Sequence, residues 1–162
     1  MTLLLNMIMT TTRRASIALL ALGLPAAAWA NCANLKIEDP WIREAPPGAM
    51  TMVGFAQLSN KGTTPLTITG ASSPDFASVE LHLSSLEAGQ ARMRHVETLT
   101  LDPGQVVRLE PGSYHLMLMQ ASRPLASGDE SLIELRCDTT SAVVKFPVRP
   151  PQVLKYQPPG SN

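Results

Sequence analysis

Beyond residue 30 the chain alternates apolar and polar residues in short runs: Leu35 to Arg43, Met50 to Leu58, Leu66 to Gly70, Ser78 to Leu83, Ala91 to Val96, Gln105 to Leu109, Tyr114 to Met119, Ser131 to Cys137 and Ala142 to Val148. A period of two is the signature of a strand with one buried face, so each run is expected to be a strand. The breaks between them carry turn residues, at Ser59-Asn60-Lys61-Gly62, Glu87-Ala88-Gly89, Asp102-Pro103-Gly104, Glu110-Pro111-Gly112 and Ser127-Gly128-Asp129. Pro40 interrupts the first run and predicts a bulge or a sheet edge there. No segment of this part keeps a 3.6-residue period. Nine short strands at regular spacing predict an all-β, antiparallel Greek-key β-sandwich or barrel in a single domain.

The two ends differ from this pattern. Arg13 and Arg14, the apolar run from Ile17 to Leu24 and Ala28-Trp29-Ala30 read as a basic region, an apolar region and a cleavage site, so residues 1–30 are expected to be a signal peptide. The apolar run is shorter than the roughly 20 residues a spanning helix needs. Residues 31–149 form the expected folded domain, and 150–162, with Pro150, Pro151, Pro158 and Pro159, an extended or disordered tail. The leader removes two of the 13 basic residues and none of the 13 acidic ones, which leaves a charge of about −2 and argues against nucleic acid or anionic membrane as partners. The expected product is a periplasmic monomer with no stable membrane insertion. Its two cysteines, Cys32 and Cys137, would then meet an oxidising compartment, where a disulfide from the first strand to a late one is expected. Asn31 stands where a lipoprotein signal needs a small residue, which argues against a lipid anchor on Cys32.

Phase now points to chemistry. In Tyr114 to Met119 the leucines and Tyr114 take one face, and His115, Met117 and Met119 take the other. In Val79 to Leu83 the apolar residues share a face, so His82 points away beside Glu80. Met93 shares a face with His95, while Arg92 and Arg94 take the opposite, solvated one. Methionine therefore recurs where a strand should show polar residues, next to imidazoles that do the same. The signatures of nucleophilic, phosphate-binding and zinc-protease sites are absent from the sequence, and Cys137 has no histidine after it to build a blue-copper centre. No enzyme is expected. Thioether and imidazole together select Cu(I), with no thiolate to lose to oxidation.

The spacing completes the picture. His82 is followed after ten residues by Met93, and after twenty-one more by His115-Leu116-Met117. With WIREAPPG, GASSP, VELH, RMR, PGSYHLMLM and PLASGD, this pattern resembles the periplasmic copper chaperones of the PCuAC family from about Ile37 to Val148. The resemblance implies a cupredoxin-like β-sandwich that holds one Cu(I) ion through His82, Met93, His115 and Met117. It also implies delivery to a copper-acceptor protein, the copper centre of cytochrome c oxidase or a Sco-type protein. Leu83, Ser84 and Ala91 stand where many relatives carry further methionines. The alternative is a periplasmic copper buffer that sequesters the ion without a dedicated recipient. Met119 is expected to pack or to line the rim, Met50 and Met52 to fill the core or cap the site, Trp41 to lie in the core, and His95 to be a surface histidine or a support for the ligands, with ligand status the less favoured reading.

Overall fold

Two positive-φ residues show how the sequence bends its first strands into shape. Asp39, at φ 52°, sits in the bulge that shifts the register between Glu38 and Trp41, where Pro40 cannot donate to a ladder. Ala88, at φ 49°, followed by Gly89, at φ 80°, makes the tight turn of the hairpin between Phe76–Glu87 and Gln90–His95. The computed structural model describes residues 32–152 other than 139. The expected signal peptide, residues 1–30, and most of the proline-rich tail lie outside the described residues.

Among the described residues, eleven strands follow a short 3-10 turn at Cys32–Asn34: β1 (Leu35–Arg43), β2 (Thr51–Asn60), β3 (Leu66–Ile68), β4 (Gly70–Ser72), β5 (Phe76–Glu87), β6 (Gln90–His95), β7 (Leu99–Leu101), β8 (Val106–Leu109), β9 (Tyr114–Ala121), β10 (Glu130–Cys137) and β11 (Thr140–Arg149). The described residues contain no α-helix. Nine strands make one sheet, in the order β4-β10-β11-β1-β2-β8-β9-β5-β6, with β2 also pairing β9. Because β4 pairs β5 through Ala71 and Val79, the sheet closes into a ring. β6 hangs from β5 outside that ring.

Two features differ from the expected antiparallel sandwich. One wall curls round until it meets itself, rather than two sheets facing each other, and the ring is sealed by a parallel pairing of β1 with β11 at Ile42–Val148. A parallel contact between the first and last strands has no local sequence signal, since no turn joins them. The three-residue strands β4 and β7 also escaped the pattern, because a run of three is too short to show a period. β7 pairs β3, and their leucines and isoleucine at 66, 68, 99 and 101 are all buried in the barrel core.

Inside the ring Ile42, Leu58, Leu116, Leu118, Ile133 and Phe146 are at most 2% exposed. Hydrophobic transfer of such side chains, roughly 1.5–3 kcal/mol each, drives the closure. Asn60, read as a turn residue, is fully buried at the end of β2. Its amide donates to the carbonyls of Thr64 and Leu101, at 2.7 and 3.0 Å, and accepts from the Gly62 amide at 2.8 Å. A buried amide satisfied in this way locks the loop to β7. Cys32 and Cys137 form the expected disulfide, with Cα atoms 5.4 Å apart.

Candidate metal centre

Register decides which side chains meet. On β5, Val79 and Leu81 turn into the barrel core, so Glu80, His82 and Ser84 turn outward. On β9, Leu116 and Leu118 turn inward, so His115, Met117 and Met119 turn outward. His82 pairs directly with His115 on one side and with His95 of β6 on the other. Paired residues share a face, so three imidazoles form a row across three neighbouring strands. The chain has three histidines; all of them stand in this row. Ring centroids are 6.0 Å apart for His82 and His115, and 5.6 Å for His82 and His95.

Two of these rings are held in defined tautomers. His115 is 4% exposed, and its Nδ1 lies 3.0 Å from the carbonyl oxygen of Ser113. That oxygen can only accept, so Nδ1 carries the proton and the lone pair resides on Nε2. Nε2 is buried with no hydrogen-bond partner. His82 places Nε2 3.0 Å from Oε2 of Glu80. The carboxylate accepts this N–H, which leaves the His82 lone pair on Nδ1, also buried and without a partner. Buried polar atoms are nearly always satisfied, so two orphaned acceptors on directly paired residues require a cation or a donor from outside. A carboxylate or carbonyl behind each ring is the arrangement that orients metal-bound histidines.

The thioethers are arranged differently. Met117 pairs Glu80 and Val53, half-buried one row from His82. Met93 pairs Ser84 one row away on the opposite side, and is 56% exposed. The rows of Glu80 and Ser84 are four residues apart along β5, about 13 Å at the usual strand rise. All four signature residues thus occupy one face of the sheet. The face brings His82 and His115 together, and leaves the two sulfurs on either side of them. Among the described residues, no three side chains of His, Cys, Asp or Glu are already gathered about one point.

Met119 is a further row along, opposite Ser78 and Thr51. Met52 fills the core at 3% exposed, whereas Met50 is 60% exposed. Trp41 is buried at 3%, yet outside the main core. It pairs Phe55, with ring centroids 4.6 Å apart, and the Arg43 guanidinium lies over both rings. Phe55 is the next position after the Gly54–Leu116 pair, on the His115 side of β2. An aromatic shelf on the outer wall therefore borders the donor face, which the sequence reading missed. The signal was Trp41 and Arg43 sharing a phase opposite to Ile42.

Known proteins share this fold. The apo PCuAC domain of PmoF2 shares the fold, with a TM-score of 0.63 and 23% identity over 75% of this chain and 94% of that one. The solution structure of CuI-DR1885 from Deinococcus radiodurans gives a TM-score of 0.53 and 27% identity over 80% of this chain and 81% of that one. "Putative lipoprotein Lxx21020" of Leifsonia xyli subsp. xyli (strain CTCB07) is 28% identical over 134 residues, 80% of each chain. In the present chain Cys32 is bonded to Cys137 and has no thiol left to acylate. The family model described as "Putative lipoprotein LpqE-like" matches residues 35–148, nearly the whole barrel, and the chain belongs to the LpqE-like family.

Proposed function

We propose that this protein is an exported copper carrier that binds one Cu(I) ion on the outer face of β5, β6 and β9 and hands it to an acceptor protein. The observation that carries the reading is the pair of orphaned ring nitrogens, His82 Nδ1 and His115 Nε2, on directly paired residues. These two imidazoles anchor the ion. Met117 and Met93 supply soft sulfur from the two flanking rows, by rotation of their long side chains and a shift of the exposed β6. The similar CuI-DR1885 structure, a Cu(I) form, supports the choice of metal. The four ligands are neutral, so none has to be protonated to let the ion go, and the nearby anion is the Glu80 carboxylate behind His82.

Anaerobic Cu(I) titration with X-ray absorption tests this reading: one ion with two sulfur and two nitrogen neighbours is expected, and no stoichiometric Cu(I) overturns it. The acceptor is the copper domain of a respiratory oxidase, in the periplasm. Mixing the loaded protein with that apo domain should move copper faster than free release; transfer no faster than release would favour storage over delivery.

A further inference from the structure

Strand β6 offers the buried pair two different third donors. His95 stands directly opposite His82, where Cβ atoms are about 4.5–5.5 Å apart, and Met93 stands on the diagonal, where the separation is roughly 7–8 Å. The register therefore favours an imidazole over the thioether as the third neighbour of the pair. Two imidazoles on one metal, at a metal–nitrogen distance of about 2.0–2.1 Å, put their ring centroids roughly 5–6.5 Å apart. The His82–His95 and His82–His115 centroids, at 5.6 and 6.0 Å, fall in that range; His115 and His95 stand on either side of β5, two strand spacings or about 10 Å apart, so His95 must swing over His82 for all three to share an ion. His95 is exposed on a strand whose every residue is exposed, so its ring is free to turn.

We infer that the row His115–His82–His95 is a second donor set on the same face, one that takes divalent copper. Nitrogen donors suit Cu(II), whereas thioethers suit Cu(I). His82 and His115 belong to both sets, with their tautomers fixed by Glu80 and the Ser113 carbonyl. Which ion is bound decides whether β6 presents His95 or Met93. No electron transfer is required of the protein; each oxidation state, supplied from outside, selects its own third donor.

This inference rests on reading the face as a copper site, and its test separates the two. With three histidines in the whole chain, pulsed EPR of the Cu(II)-loaded protein counts the row directly. Three coupled imidazoles are expected in the wild type, and two in His95→Asn. In chelator competitions the variant should bind Cu(II) about tenfold or more weakly while its Cu(I) affinity stays within about threefold. Two imidazoles in the wild type, or an unchanged Cu(II) affinity in His95→Asn, overturns the second set. A Cu(I) affinity that falls as far as the Cu(II) affinity also overturns it, by making His95 a ligand of both ions. A wild type that takes up neither ion removes the copper reading itself.

Discussion

The two faces of the β5–β9 ladder are built from alternate residues of the same strands, yet they obey different rules. The inner face, with Val79, Leu116 and Leu118, is closed and apolar. The outer face, one residue out of step, buries His115 almost as deeply, but leaves acceptor nitrogens unsatisfied. Burial on the inside stabilises the fold; burial on the outside, beside the aromatic shelf of Trp41 and Phe55, holds a cost in reserve for something to relieve. A single strand pair thus separates stability from binding by phase alone.

Substitutions that break this separation are expected in descending size. Leu118→Ala should cost about 3 kcal/mol of stability by leaving a cavity, read by chemical denaturation, with Cu(I) stoichiometry of the folded protein unchanged. His115→Gln should do the reverse. Its melting point should move by only a few degrees, while Cu(I) affinity in a chelator competition falls by more than the roughly 10–100-fold that loss of a supporting hydrogen bond causes. Glu80→Gln, which keeps the shape but weakens the hold on His82, should fall near the lower end of that range, about tenfold. An unchanged affinity would show that His82 needs no partner.

The smallest effect concerns acid. Asp75 receives hydrogen bonds from Arg123 at 2.7 and 3.4 Å, and these hold its carboxyl below the usual aspartate value. The pair joins the start of β5 to the chain just after β9. A depressed carboxyl stabilises the fold above its unfolded value, near 3.9, and loses that contribution as pH falls through the folded value. Urea midpoints should therefore drop more steeply below about pH 4 in the wild type than in Asp75→Asn, and parallel curves would count against the pair.

Much of this was legible in the chain. Alternation in SYHLMLM and VELHL placed the leucines inside and the imidazoles outside, as the ladder shows. The bulge at Pro40 and the disulfide were expected on local grounds and are present. What stayed hidden depends on register between distant strands. The turn at Glu87-Ala88-Gly89 could be read, but nothing near His82 announces the pairing register that sets His95 directly opposite it. Nothing near Ile42 announces a parallel partner more than a hundred residues away. The separation of Met93 from Met117 is of the same kind, since the spacing of a signature records order along a chain and not distance across a sheet.

The position of β6 outside the closed ring has a kinetic consequence. β5 and β9 cannot part without opening the barrel wall, whereas among the described residues β6 is paired to β5 alone. An incoming acceptor would peel the hairpin arm first, so the donor on β6 leaves the ion early and His115 leaves it last. Under the proposed function, unloading would then run from rim to wall, in the order of the strands.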